Sequence, residues 1–283
     1  MTTNEQACTK AARLVAASSA VVIGASNGLS ISEGFNLFAD DEWFRENFGD
    51  IRARYGVRSI IEAASYPFAT DEEYWGFWSR LANLKSLTES VSPTMQALAA
   101  IVGDRPCFVV TTNGEGHFPP AGFRADRVFE MEGSFTELAC PAHCGAAPVP
   151  GEEAIRQMAA QERDGRVLQG LLPRCERCGA VMRINMAKND RFFQTPEWTG
   201  RLAAFRNFLA DHADDNVVIL ELGVGLRNPL VTGALTEAKQ TLHDASVIVI
   251  NKGGGTGVRS DGALCIDDDI TRALQTMEAA MDI

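Results

Sequence analysis

The chain has 283 residues, 46% of them hydrophobic and 22% charged, which is typical of a soluble globular protein with one large domain or one domain carrying an insert. Its formal net charge of −11 disfavours general nucleic-acid binding, although a helix N-terminus can still hold one small anionic ligand. We find no apolar run long enough to cross a bilayer, and the start "MTTNEQACTKAARLV" does not resemble a secretion signal. We therefore expect a cytoplasmic protein that contacts neither nucleic acid nor membrane.

Short Val/Ile-rich runs alternate with helical patterns along the chain. The first half predicts helices near residues 5–17 and 40–47 and from Thr70 and Ser92, with strands at "AVVIG", "CFVVTTN" and "RVFEMEGS". After a cysteine-containing segment, strands are predicted at "VMRIN", "NVVILELGVG" and "SVIVINKGGG", with helices at "TPEWTGRLAAFRNFLADHA", "NPLVTGALTEAKQT" and "DDDITRALQTMEAAM". This alternation predicts a parallel sheet covered on both faces, with ligands bound beyond the carboxyl ends of its strands.

The first strand leaves the predicted sheet through a loop with little side-chain bulk, "VVIGASNGLSISEGFN". One interpretation is a tight strand-to-helix turn that binds nothing. The other is a set of backbone N–H groups that crowd a pyrophosphate, which requires residues poor in Cβ atoms. The stretch is neither a G-x-G-x-x-G nor a P-loop, so its residues alone leave both interpretations open.

Four of the seven cysteines form two tight pairs, Cys140-x3-Cys144 and Cys175-x2-Cys178. Two pairs of thiolates can hold one tetrahedral zinc ion, and four cysteine ligands leave no open position, so such a metal is structural. Two disulfides or four reduced thiols are the alternatives, and a cytoplasmic location favours metal. His143 could replace one cysteine, but we expect it to face solvent.

Five stretches resemble the sirtuin family, in the family's order, from about residue 21 to 275. "GASNGLSISEG" is similar to the Gly-Ala-Gly loop and following serine that bind NAD, and "VVTTNGEG" to Thr-Gln-Asn-Ile-Asp-Gly. "FEMEGS" occupies the position of the family's Glu-Leu-His-Gly-Ser motif, and "LELGVG" that of its Gly-Thr-Ser motif. "VIVIN" is similar to the family's Ile-Ile-Asn strand. "DEWFRENFGD", "ASYPFATDEEYWGFWSR", "RCERCG" and "LELGVGLRNPL" resemble the macrodomain-linked microbial branch, which is associated with protein ADP-ribosyl transfer rather than deacylation.

The resemblance implies an α/β fold with a Rossmann-like parallel sheet, a helical cover and an inserted small zinc-binding module. The Rossmann-like part would comprise residues 1–135 and 181–283, with a helical insert at about 36–90, and the zinc module residues 136–180. NAD would be the co-substrate, an acceptor protein or small molecule the second substrate, and a separate macrodomain protein a partner. The implied cofactor-binding residues are Gly24, Ala25, Ser26, Ser30, Thr112, Asn113, Glu115, Gly223, Gly225 and Asn251.

Two residues take the implied catalytic positions. Asn113 would orient the ribose or a water, although Asn-Gly is also a common turn. Glu132 stands where deacylases have histidine and the macrodomain-linked branch has glutamine; its carboxylate could stabilise a cationic ribose or take a proton from an acceptor. The alternative is a surface acid. Ala187 stands where the branch has an arginine, which Lys188 or Arg191 could replace.

The sequence therefore predicts an NAD-consuming enzyme that transfers ADP-ribose to a protein or small acceptor. NAD hydrolysis, with water as the acceptor, is the alternative within this chemistry. Deacylation is disfavoured because Glu132 replaces the histidine. A sensor that binds NAD or ADP-ribose without catalysis is the remaining alternative.

Overall fold

A computed structural model describes residues 2–142, 144–187, 192–225, 228–253 and 262–281 of the chain. The strands are β1 (Ala20–Ala25), β2 (Cys107–Thr111), β3 (Val128–Glu130), β4 (Gly133–Ala139), β5 (Val149–Pro150), β6 (Arg183–Met186), β7 (Asn216–Leu222), β8 (Asp244–Ile250) and β9 (Leu264–Ile266). The helices are α1 (Thr3–Ala17), α2 (Asn27–Ser32), α3 (Glu42–Tyr55), α4 (Ile60–Ala64), α5 (Asp71–Ala82), α6 (Pro93–Val102), α7 (Glu152–Gln161), α8 (Pro196–Asp211), α9 (Pro229–Thr241) and α10 (Ile270–Met281).

The predicted parallel sheet is confirmed, with strand order β3-β2-β1-β7-β8-β9. All six residues of β1 are buried, because strands flank it and helices cover both faces of the sheet. Ala25 is in register with Thr111 of β2 on one side and Leu222 of β7 on the other. The loops that follow these three strands therefore leave the sheet side by side, where open α/β sheets bind ligands.

The segment "RVFEMEGS" forms two strands rather than the single one predicted. β3 ends at Glu130 in the main sheet, and β4 begins at Gly133 in a separate antiparallel sheet of order β5-β4-β6. Gly133 has a φ of +90°, and a Cβ there would lie 2.1 Å from the Asn185 carbonyl oxygen of β6. Only glycine fits this close approach of β4 to β6. The chain leaves the main sheet in the turn at Met131 and Glu132, directly before Gly133.

The helical cover and the small sheet share one apolar cluster. Phe44, Trp75 and Trp78 of the cover are buried in the same cluster as Phe135 and Ile184 of the small sheet. These aromatic side chains therefore form core rather than ligand contacts, as their helical spacing predicts. The predicted domain limits at residues 135 and 180 stay a prediction.

Helix starts follow the predicted caps. Thr70 and Ser92 accept hydrogen bonds from the backbone N–H groups of Glu73 and Met95, and Pro93 occupies the first turn of α6. Within the described ranges, no helix has both the length and the apolar character needed to cross a membrane.

Candidate functional site

The loop after β1 crosses the loop after β7 in direct backbone contact. The Gly28 N–H donates to the Gly223 carbonyl oxygen at 3.1 Å, and a Cβ on Gly28 would lie 2.5 Å from the Gly223 Cα. Gly223 has a φ of +61°, and a Cβ on Gly223 would clash with the Gly28 backbone in the same way. The bare backbone is therefore required by a contact between two strand ends, in addition to any ligand it accepts.

Gly24 is required for the packing of α9 against β1. A Cβ there would lie 2.4 Å from Cδ1 of Leu235 on α9, so this glycine lets the helix approach β1. Its backbone remains at the strand end, directly before Ala25 and Ser26, which begin the exit loop.

Three polar side chains tie together the ends of β1, β2 and β7. Thr112 Oγ1 donates to Ser26 Oγ at 3.1 Å, and Asn228 Nδ2 contacts both oxygens at 2.7 and 2.8 Å. Asn228 also accepts the Val231 N–H at the start of α9. The threonine that replaces the sirtuin glutamine thus has a defined role, whereas Asn228 was not identified from the sequence.

A second cluster joins the two predicted loops. Asn113 Nδ2 donates to Ser30 Oγ and, at 3.2 Å, to Glu115 Oε1, while Ser30 Oγ donates to the same Glu115 oxygen. All three side chains are buried, and Thr111 Oγ1 fixes the Asn113 amide by donating to its Oδ1 at 2.8 Å. The structure therefore brings together three residues that the sequence assigns to NAD, from two separate loops.

A largely buried ion pair adjoins this cluster. His117 Nδ1 lies 2.6 Å from Glu33 Oε2 and 4.0 Å from Glu115 Oε1, and Ser92 Oγ donates to Glu33 at 2.6 Å. Burial alone would lower the pKa of His117, but the hydrogen bond to Glu33 and the surrounding carboxylates raise it. Burial alone would raise the pKa of Glu33, but hydrogen bonds from His117 and Ser92 lower it. Both shifts favour the charged form, so the two side chains attract each other as opposite charges at pH values below the raised pKa of His117.

A small polar cavity adjoins the ion pair. Ser86 Oγ and His117 Nε2 are buried, and neither has a hydrogen-bond partner among the described residues. Both residues line a cavity of about 30 Å³, together with Glu33, Lys85 and Glu115. A polar space of this size can accommodate one water molecule.

Glu132 lies in the turn between the two sheets and is half-buried. Its carbonyl oxygen accepts the Ala187 N–H at 2.9 Å, so the position of the branch arginine lies beside the position of the sirtuin histidine. Lys188 and Arg191, the predicted replacements for that arginine, lie outside the described residues, as does His143.

Glu130, two residues before Glu132, was not identified from the sequence. Burial of its carboxyl group and the nearby charge of Glu115 raise its pKa to about 8. It lines a cavity of about 350 Å³ whose wall also contains Glu115. A perturbed carboxyl in a cavity beside the predicted site is typical of a functional group.

At the end assigned to adenosine, β7 and β8 hold the predicted residues in place. The Gly223 N–H donates to the Ile250 carbonyl oxygen at 3.0 Å, and Asn251 Nδ2 donates to the Val224 carbonyl oxygen at 3.0 Å. Gly225 has open space around its Cα, since a Cβ there would meet no atom within 4 Å. These three residues line the edge of the sheet next to the β1 exit loop.

The four predicted metal ligands converge on one point. Their sulfur atoms all lie within 4.8 Å of one another, with Sγ–Sγ separations of 3.5 Å for Cys140–Cys178, 3.6 Å for Cys140–Cys144 and 3.5 Å for Cys144–Cys175. A tetrahedral zinc with Zn–S bonds of about 2.3 Å requires sulfur separations of about 3.8 Å. All four cysteines are free, and these separations are far longer than a disulfide bond.

The chemistry of the thiols also fits a metal. Backbone N–H groups of Cys178 and Arg177 lower the pKa of Cys175 to about 7, whereas, against the backbone N–H of Ala180, the neighbouring thiols raise the pKa of Cys178 to about 12. The four thiols thus interact closely, and a bound zinc ion would favour the thiolate form of each. The chain therefore contains a four-thiolate site suited to one structural zinc ion, and the alternative of two disulfides is wrong.

Known proteins share both the sequence and the fold. The chain is 32% identical over 211 residues to "Protein ADP-ribosyltransferase" of Staphylococcus aureus, covering 74% of this chain and 66% of that protein. It is 28% identical over 273 residues to "Probable bifunctional ADP-ribose hydrolase/ADP-ribosyltransferase" of Fusarium oxysporum, covering 90% of this chain and 45% of that protein. The chain thus spans just under two thirds and under half of the lengths of these relatives. No family model matches it.

Solved sirtuin structures align over nearly the whole chain. A Sir2 homologue in complex with NAD superposes with a TM-score of 0.64 at 17% identity, covering 96% of this chain and 93% of that one. Another Sir2 enzyme gives a TM-score of 0.62 at 18% identity, with 98% of each chain covered. The fold predicted from the resemblance is confirmed: the chain has the sirtuin fold, and its sequence is similar to proteins that are named ADP-ribosyltransferases.

Proposed function

We propose that this chain consumes NAD by cleaving the bond between nicotinamide and ribose, and transfers ADP-ribose to a protein or small acceptor. The observation that carries the proposal is the buried cluster of Ser30, Asn113 and Glu115, at the edge where β1 and β2 end. The names of the relatives support ADP-ribosyl transfer as the reaction.

The exit loop of β1 would hold the pyrophosphate. The small residues Ser26, Gly28 and Ser30 lie at the start of α2, so phosphate oxygens can approach the backbone there closely. Gly223, Gly225 and Asn251 would border the adenosine half from the neighbouring strands. No cationic side chain is needed, because the amino end of α2 would supply the positive potential.

Asn113 would orient the ribose that bears nicotinamide. Its amide is fixed on one side by Thr111 and on the other by Ser30 and Glu115, so little conformational freedom is lost on binding. As nicotinamide leaves, positive charge develops on the ribose, and the Glu132 carboxylate would stabilise it. This role does not need the histidine that a deacylase uses.

The four cysteines would hold zinc without contributing to the chemistry. Cys140, Cys144, Cys175 and Cys178 leave no coordination position for water or substrate. The ion would fix the two loops of the small module relative to its antiparallel sheet. A separate macrodomain protein that acts on the same modification stays a prediction about partners.

The test is to incubate the purified chain with NAD and measure nicotinamide release by chromatography. We expect release, and an Asn113→Ala variant should lower its rate about 100-fold, because the ribose loses its orienting group. The matched control is Asn216→Ala at the amino end of β7, on the opposite edge of the sheet, which should keep the wild-type rate.

The products separate the alternatives. Release without any ADP-ribosylated acceptor would identify a hydrolase, and NAD binding without release would identify a sensor. Release that depends on an acetylated lysine peptide would identify a deacylase, the activity named for a Pseudomonas aeruginosa relative that is 31% identical over 109 residues.

A further inference from the structure

The cavity of about 350 Å³ lies directly beside the proposed ribose site. Its wall comes from the turn after α5, the loop after β2, β3, β4, α7 and α8, and includes Ser86, Glu115, Glu130, Ser134, Glu152 and Arg201. Glu115 lines this cavity and also belongs to the proposed ribose site, since its carboxylate contacts Ser30 and Asn113. A group bound in this cavity would therefore reach the ribose without crossing the sheet.

Glu130 occupies the end of β3 in this wall. It is in register with Thr111, the last residue of β2, so it lies at the same level of the sheet as the base of the NAD loops. Its Oε1 lies 3.9 Å from the position of a Cβ on Gly116, and glycine at that position leaves the carboxyl accessible from the loop. The carboxyl is thus fixed between the loop after β2 and the start of β4.

Charged and polar groups surround Glu130 from every neighbouring element. Glu115 and His117 from the loop after β2, and Ser134 and Glu137 from β4, act directly on Glu130. Glu152 of α7, Arg201 of α8 and Ser86 from the turn after α5 line the same cavity. Burial and the charges of Glu115 and Glu137 raise the pKa of Glu130 to about 8, against the opposing effects of His117 and Ser134. Two carboxyl groups two residues apart, in different environments, are suited to separate roles.

We propose that Glu130 is the general base that accepts the acceptor's proton, and that the cavity admits hydroxyl or amine acceptors without negative charge. This inference rests on the proposed function and divides its chemistry between two carboxyl groups. Glu132 stabilises the ribose cation, and Glu130 handles the proton.

The step balances without any further reactant. The acceptor oxygen or nitrogen forms a bond to C1′ of the ribose while the bond from C1′ to the nicotinamide nitrogen breaks. The electron pair of that bond stays on nicotinamide, which leaves neutral, and the acceptor proton passes to the Glu130 carboxylate. A base is most effective when its pKa is near the working pH, and the environment of Glu130 meets that condition.

The charge of the cavity sets the class of acceptor. Glu115, Glu130 and Glu152 supply three carboxyl groups, and Arg201 is the one cation among the residues that line the wall. An acceptor carboxylate or phosphate would be repelled in the state in which Glu130 acts as base. A serine-like hydroxyl or a neutral amine meets no such cost.

The experiment measures NAD cleavage against pH with water and methanol as acceptors and acetate as the anionic competitor. The wild-type kcat/KM should rise with pH through about 8, and methyl ADP-ribose should form in preference to the acetyl ester. Glu130→Gln should remove the rise and lower the rate about 100-fold at pH 9. Glu137→Gln, which removes one charge that raises the pKa of Glu130, should move the midpoint to lower pH and leave the plateau unchanged.

A rise that persists in Glu130→Gln, or preferential reaction with acetate, would overturn the proposal. A second measurement does not depend on activity: the carbon-13 NMR titration of glutamate carboxyls in the free protein, with Glu130 assigned from the variant. A midpoint near 8 supports the proposal, and one near the ordinary glutamate value of about 4.3 overturns it. If the wild type releases no nicotinamide at all, the proposed function fails, and this titration still decides the state of Glu130.

Discussion

Replacing Gly28 with alanine tests why the β1 exit loop is bare. The new Cβ would lie 2.5 Å from the Gly223 Cα and 2.7 Å from its carbonyl oxygen, where carbon atoms normally stay about 3.5–4.0 Å apart. Both obstacles are backbone atoms, so the loops after β1 and β7 must separate by about 1 Å. Overpacking of this kind costs about 1–3 kcal/mol. The displaced loop is also the one proposed to hold the pyrophosphate.

The assay pairs urea unfolding with calorimetric titration of ADP-ribose. Gly28→Ala should lower the free energy of unfolding by about 1–3 kcal/mol and weaken ADP-ribose binding at least tenfold. The matched control is Gly200→Ala on the exposed face of α8, where a Cβ meets nothing and alanine should stabilise the helix by about 0.5–1 kcal/mol. A Gly28→Ala protein with unchanged stability and unchanged ADP-ribose affinity would refute the reasoning.

Three further predictions concern the metal, the ion pair and the ribose carboxylate. Purified wild type should contain one zinc per chain, and Cys175→Ser should lose the metal and melt at lower temperature; zinc-free, fully stable wild type would disprove the site. His117→Gln should cost about 3 kcal/mol in urea unfolding at pH 6, because it leaves Glu33 buried without its partner. The pKa of His117 is raised in the folded protein, so protonated His117 stabilises the fold. This stabilisation is complete below the ordinary histidine pKa of about 6.5 and is lost as pH rises through the raised pKa. The difference in unfolding free energy between wild type and variant should therefore shrink as pH rises above the raised pKa of His117, and a constant difference would argue against the pairing. Glu132→Gln should slow nicotinamide release at least tenfold, equivalent to about 1.4 kcal/mol of lost charge stabilisation. The control, Glu46→Gln on the exposed surface of α3, should not change the rate. Equal rates for the two variants would contradict the role of the Glu132 carboxylate.

Local spacing predicted those parts of the site that depend on neighbouring residues. Cys175 and Cys178 lie in one short turn, and so do Cys140 and Cys144, so two pairs are enough to predict one metal site. Alternating strands and helices likewise predicted the parallel sheet and the edge at which its loops meet. The order of the motifs then predicted the sirtuin fold, although each motif alone is weak.

Contacts between distant parts of the chain could not be predicted in the same way. Gly28 is required by Gly223, which belongs to a strand far later in the sequence, so its spacing gave no sign of that contact. Glu33 and His117 pair across two loops, and neither lies in a recognisable pattern. Glu130 was not predicted because the resemblance points to Glu132, and the burial that raises the pKa of Glu130 is visible only in the structure.

The most direct test of the central claim is a crystal structure of the chain with ADP-ribose bound. We predict that the pyrophosphate lies against the backbone of residues 25–30, with the distal ribose between Asn113 and Glu132. This prediction would be contradicted by a ligand bound elsewhere, for example in the cleft of about 780 Å³ that Arg105 and Arg127 line at the amino end of β2, or by a Glu132 side chain turned away from the ribose.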